Sequence, residues 1–133
     1  GWIELPAQGT SMFPFIKNGN VCRFESAETA NIKKGDILLF ITPFGNLVAH
    51  RFCRIVARNQ QLLYLCKGDS NLSYDEAIAM DQLIGKMIWM ERNGRVIPIT
   101  GMVAYVWGRA ILTFPLISMV LRYYLNRKES PQG

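Results

Sequence analysis

One serine, one histidine and two aspartates stand in this chain where they could act together. Ser11 lies in "GTSMFPFIKNG" (9–19), a glycine-led turn with a proline shortly after the serine. A serine hydroxyl is a poor nucleophile at neutral pH. It needs a base within hydrogen-bond reach, and a third group to orient that base. The chain holds a single histidine, His50, in "LVAHRFCRIV" (47–56). Side chains alternate along a strand, so His50 shares a face with Val48 and Phe52, while Ala49, Arg51 and Cys53 take the other. The third part is "CKGDSNLSYDEA" (66–77). If 47–56 and 61–67 pair as a hairpin turning near Asn59, the position across from His50 falls just beyond Lys67. That brings Asp69, and with it Asp75, toward the imidazole. Either carboxylate could fix the tautomer and stabilise the imidazolium formed as Ser11 gives up its proton. Spacing alone does not rank the two. Each group also has a plainer role open to it: Ser11 as a turn residue, His50 as a structural strand residue, Gly68-Asp69 as a turn, Asp75-Glu76 as solvated charges.

Short strands must carry these residues. "VCRFES" (21–26), "DILLFI" (36–41), 47–56 and "QLLYLCK" (61–67) are rich in aliphatic and aromatic residues, with turn signals between them. "LIGKMIWMERNGRVIPI" (83–99) places Asn93-Gly94 between two apolar runs, which predicts a tight hairpin. Residues 72–82 read as a loop with a helical turn. From Gly101 the character changes. "GMVAYVWGRAILTFPLISMVLRYYLNRK" has helical composition broken by Pro115, and Arg109 is its only charge from Met102 to Leu121. That length could cross a bilayer, but Arg109, Pro115 and the basic end at Arg122, Arg127 and Lys128 fit better with a helix lying in the membrane interface. The alternative is a pair of helices packed on the sheet. The expected organisation is a β domain over 1–100, a hydrophobic helical segment over 101–127 and a disordered tail over 128–133.

A length of 133 residues fits one domain with its own core, and half of them are hydrophobic against 19% charged. The net charge of +5 and pI ≈ 9.3 favour anionic partners. No basic stripe interleaved with aromatics is present, which argues against nucleic acid. Cys22, Cys53 and Cys66 are odd in number and form no CxxC pair, so neither a disulfide framework nor a zinc site is expected. Nothing at the amino end is apolar and long enough to span a membrane.

Four blocks stand in one order: "GTSMFPFI", "GDILLF", "AHRFCRI" and "KGDSNLSYDE". Together they resemble the type I signal peptidases and their S24/S26 relatives, over roughly residues 6–92. The resemblance implies a twisted antiparallel β core of the signal-peptidase/LexA kind, here followed by the hydrophobic helical segment. It implies Ser11 as nucleophile. The usual bacterial enzymes and the LexA-type repressors carry a lysine as base in the third block; here His50 precedes Arg51, which resembles the branch found in the endoplasmic reticulum, archaea and some bacterial relatives, and is implied as general base. That branch's acid falls on Asp75, with Asp69 as a structural or electrostatic support. Thr10, Ser11 and Met12 are the implied oxyanion and substrate contacts. No metal and no cofactor is implied. Two positions depart from the pattern: Gly9 stands where a hydroxyl residue commonly helps bind the oxyanion, and Tyr74-Asp75 replaces an Asp pair.

The leading expectation is a serine endopeptidase that cleaves signal or leader peptides, with a peptide or precursor protein and a membrane surface as partners. The family's amino-terminal anchor is not seen before Ser11, and residues 101–127 are expected to serve instead. The alternatives are a catalytically weak or inactive peptide-binding module of the same fold and a membrane-surface adaptor built on 101–128. A LexA-like repressor is disfavoured by the missing lysine and by the lack of a helix-turn-helix before Ser11.

Overall fold

The computed structural model describes residues 1–27, 31–99 and 102–129. Seven strands form one sheet in the order β1-β2-β6-β3-β4-β5, with β7 also on β6. They are β1 (Trp2–Pro6), β2 (Val21–Ser26), β3 (Ile37–Ile41), β4 (Leu47–Arg58), β5 (Gln61–Lys67), β6 (Leu83–Arg92) and β7 (Arg95–Pro98). All pairings are antiparallel. A short 3-10 turn, Met80–Gln82, precedes β6, and two helices follow the sheet: α1 (Met102–Thr113) and α2 (Leu116–Glu129). The expected class, a mainly β core with a helical carboxyl-terminal segment, is the one observed.

Period-two alternation sorts the apolar side chains onto two faces. Leu39 of β3 joins Met12, Ile16, Cys22, Phe24, Ile37, Met87 and Met90 in one cluster. Leu38 and Phe40 point the other way, to Phe52, Cys66 and Ile78. β3 is thus covered on both faces, which explains its unbroken apolar run. The three thiols are free and buried. Burial pushes each of them up, Cys22 to about 11, so none is poised to react.

The hairpin expected at Asn93-Gly94 joins β6 to β7, with φ of 54° and 77° at those two residues. Two features differ from expectation. β1 is not among the strands named from the sequence, yet it pairs with β2 from Trp2↔Glu25 to Pro6↔Val21. Helix α2 runs on to Glu129, so Lys128 and Glu129 belong to it rather than to a tail. Residues 130–133, and the boundary at 100–101, lie outside the described residues.

Phe24, 2% exposed at the centre of the larger cluster, offers a direct test of the core. Phe24→Ala should lower unfolding free energy in urea by about 3–5 kcal/mol. Phe44→Ala, at a ring 91% exposed, should change it by less than about 0.5 kcal/mol.

Candidate functional site

β4 serves two partners. Its first part, Leu47 to Arg51, pairs with β3; from Arg51 to Arg58 its other edge pairs with β5, with a register shift between Phe52 and Arg54. Arg51 lies opposite Lys67, so the chain beyond β5 leaves the sheet beside His50. The loop that follows carries Asp69 and Asp75.

Alternation then sends the two neighbours on β4 to different acids. His50 Nδ1 lies 2.6 Å from Asp75 Oδ2, and His50 Nε2 lies 2.9 Å from Ser11 Oγ. Arg51 meets Asp69 with a fork, Nε to Oδ1 at 2.7 Å and Nη2 to Oδ2 at 2.8 Å. Its third nitrogen, Nη1, donates to the Gly35 carbonyl at 2.8 Å. Asp69 therefore does not act on the imidazole. The arginine beside His50 takes it, and Asp75 is the carboxylate in contact. A carboxylate on Nδ1 selects the tautomer whose Nδ1 carries the proton and whose Nε2 accepts from the serine hydroxyl.

The pairs differ in burial. Arg51 and Asp69 side chains are 3% and 1% exposed, against 11% and 22% for His50 and Asp75. The first can hold a structure together; the second stays open to a reactant.

Ser11 is held by main-chain bonds. The Ser70 N–H donates to the Ser11 carbonyl at 2.9 Å, and the Ser70 hydroxyl donates to the Thr10 carbonyl at 2.6 Å. Gly68 permits this approach: a Cβ there would stand 2.8 Å from the Ser11 carbonyl oxygen. Asp75 is anchored by its N–H on the Cys66 carbonyl at 2.9 Å. Met12 is a core residue whose sulfur accepts from the Asp69 N–H at 3.4 Å, and its side chain also reaches the groove beside Ser11. Thr10 turns its carbonyl toward Ser70. Gly9 has φ of +80°, a conformation in which a serine would be strained, so the commonly found hydroxyl does not suit this turn.

A groove of about 800 Å³ opens beside the Ser11–His50 pair. One wall is Leu5 to Gly9, the end of β1 and the turn after it; the other is Gly45 to His50, entering β4. Among the described strands, β1 pairs only with β2, and Leu47 to His50 pair only with β3.

Several contacts come from the helices, which the sequence patterns did not connect to this region. Trp107 Nε1 donates to Asp69 Oδ2 at 2.9 Å, Ser118 Oγ to the Asp69 carbonyl at 2.7 Å, and Arg122 Nε to the Ser70 carbonyl at 3.0 Å. Lys67 Nζ donates to Ser118 Oγ at 2.8 Å. Burial pushes the Lys67 ammonium below its ordinary range, opposed by the negative charge of Asp69. The polar residues inside an apolar segment were the available signal. Among the described residues no group of three or more His, Cys, Asp or Glu is placed to hold a metal.

The chain is 30% identical over 73 residues to signal peptidase I W of Bacillus subtilis (strain 168). The match covers 54% of this chain but only 38% of that relative's length. It supports a distant relationship to the signal peptidases. No protein-family model matches the chain, and no solved structure does.

Because Arg51 and Asp69 are buried together, losing one strands a charge. Arg51→Leu should reduce unfolding free energy by about 3–5 kcal/mol. Arg51→Lys should recover only part of it, since a lysine has no planar fork. Urea unfolding followed by tryptophan fluorescence reads both.

Proposed function

We propose that this chain carries the catalytic site of a serine endopeptidase of signal-peptidase type, which cleaves signal or leader peptides with histidine as its base. The observation that carries the reading is the continuous relay from Asp75 through His50 to Ser11, at 2.6 and 2.9 Å. The four sequence blocks and the partial match to a signal peptidase support it.

Ser11 Oγ attacks the scissile carbonyl carbon while His50 Nε2 takes its proton. The imidazolium, held by Asp75, returns that proton to the leaving amine as the C–N bond breaks. Water, deprotonated by the same imidazole, then hydrolyses the acyl ester. An extended substrate lies in the groove between residues 5–9 and 45–50, adding main-chain hydrogen bonds to both walls. The base identity aligns the chain with the histidine-base relatives rather than with the lysine-dependent bacterial enzymes.

The helix pair suits a lipid surface. Tyr105, Val106, Phe114, Leu116, Met119, Val120 and Tyr123 are exposed, and no acidic residue stands between Met102 and Lys128. Arg109, Arg127 and Lys128 are also exposed, which favours anionic headgroups. No single helix among the described residues is long and apolar enough to cross a membrane, and the pair that together would be is bent by 99°. The helices lie on the membrane rather than through it.

A second reading, a peptide-binding module without turnover, is favoured by Gly9, which brings no hydroxyl to the oxyanion. One experiment separates the two. Candidate leader peptides and a serine-acylating penem are incubated with the protein and read by mass. Cleavage, or an adduct on Ser11, is expected. His50→Ala should slow either by about a thousandfold or more. Peptide binding without cleavage, together with no adduct on Ser11, selects the module. For the surface, vesicles with an anionic phospholipid should float the full chain. A double variant, Met119→Glu with Val120→Glu, should lower the bound fraction about tenfold or more; unchanged flotation removes the membrane assignment.

A further inference from the structure

Resting on the serine-peptidase reading, the contacts around Ser70 allow a finer assignment. An attacked carbonyl develops a negative oxygen, and a donor aimed at that oxygen lowers the barrier only if its direction is set beforehand. The main-chain N–H of Ser11 belongs to the Thr10–Ser11 peptide. That peptide is trans, Phe13–Pro14 being the one cis bond among the described residues. In a trans peptide the C=O and N–H point in opposite directions. Whatever holds the Thr10 carbonyl therefore aims the Ser11 N–H.

Two donors hold that carbonyl: the Phe13 N–H, across the turn at 3.0 Å, and the Ser70 hydroxyl, the shorter at 2.6 Å and the one that reaches it from the 68–71 loop. The polarity of that hydroxyl is set from outside the sheet. Arg122 Nη2 of α2 lies 3.3 Å from Ser70 Oγ, and a guanidinium can only donate. The hydroxyl must accept from Arg122 and so gives its proton to Thr10. Arg122 is itself fixed by Nε on the Ser70 carbonyl at 3.0 Å and by Nη2 on Asn71 Oδ1 at 3.3 Å. Ser70 is fully buried, while Ser11 lines the open groove. With its partner carbonyl drawn inward, the Ser11 N–H faces away from the 68–71 loop. Tyr124 of α2 stacks on Phe13, two residues past Ser11, with ring centroids 5.9 Å apart.

We propose that Ser70, with its hydroxyl polarised by Arg122, is a positioning residue that aims the Ser11 N–H at the substrate oxyanion. This couples helix α2 to the chemical step. It also gives Gly9 a counterpart: a turn without the common hydroxyl relies more on the aim of its one main-chain donor.

The test is acylation of the full chain by a penem. The Ser11 oxygen bonds to the β-lactam carbonyl carbon, the ring C–N bond breaks, and the serine's proton ends on the ring nitrogen. Limiting rate and half-saturating concentration are measured separately. Ser70→Ala, which keeps the Ser70 N–H bond to Ser11, should cut the limiting rate about tenfold or more with half-saturation unchanged. Arg122→Leu should cut it by a smaller factor, and Arg122→Lys should restore part of the loss. A purely structural role would lower the urea midpoint and leave the limiting rate of the folded protein intact. If Ser70→Ala does not fold, the two Arg122 variants decide, and equal limiting rates in both and in wild type overturn the proposal. So does Ser70→Ala acylating at the wild-type rate. Wild-type protein left unacylated and without peptidase activity removes the parent reading as well, so the two failures are distinct.

Discussion

The buried fork between Arg51 and Asp69 is the contact on which the site's construction depends. It joins the middle of β4 to the loop after β5, with both side chains almost wholly withdrawn from water. Two ions in that setting are tolerable only when each polar atom finds a partner. Here the arginine's third nitrogen reaches Gly35, and the carboxylate also accepts from Trp107. Nothing in this cluster is left unpaired among the described side chains. The fork pins the start of the loop, and everything downstream of Asp69 inherits that position. The Ser70 N–H reaches Ser11, and Asp75, tied by its own N–H to Cys66, reaches the imidazole.

Alternation along a strand converts that anchor into a division of labour. His50 and Arg51 are adjacent in sequence and opposite in direction. One neighbour binds the first acid of the loop for structure, and the other meets the second acid in a more open place. The change of partners along β4 makes this possible. Up to His50 the strand has β3 on one edge and the groove on the other; from Arg51 onward β5 covers that second edge. The imidazole sits where the sheet stops being closed. There a base can be held on one side by a protein carboxylate and face a nucleophile on the other.

Much of this was legible in the sequence because it rests on local rules. Four strands, the Asn93-Gly94 hairpin and the break at Pro115 follow from apolar alternation, turn chemistry and the missing proline N–H. Placing the hairpin near Asn59 put the residue opposite His50 just past Lys67, and the observed pairing of Arg51 with Lys67 agrees. What spacing could not decide was which aspartate meets the imidazole. Both lie in one loop, and the choice depends on Arg51 taking Asp69 first, a contact between side chains 18 positions apart. β1 was missed because it is only five residues long and ends in Pro6, while its pairing with β2 is set by a partner 15 or more residues away. The polar grip of Trp107, Ser118 and Arg122 was hidden for a different reason. In a segment so apolar, hydropathy reports what could meet lipid, not which few polar atoms turn inward.

Those inward atoms resolve an apparent conflict in the helical segment. The proposed membrane contact and packing on the body of the protein look like rival uses of one apolar stretch. The two faces of the helices leave room for both. Ala104, Gly108, Ile111, Ser118 and Leu125 are buried, with Gly108 lying close against the Arg51 guanidinium. Val106, Leu116, Met119, Val120 and Tyr123 remain outside. A helix that met the sheet only through apolar side chains could slide or rotate at little cost, because dispersion has no direction. Hydrogen bonds to one loop carbonyl each from Ser118 and Arg122, and to one carboxylate from Trp107, fix the rotation of both helices. The outward apolar face is thereby held in one orientation relative to the groove.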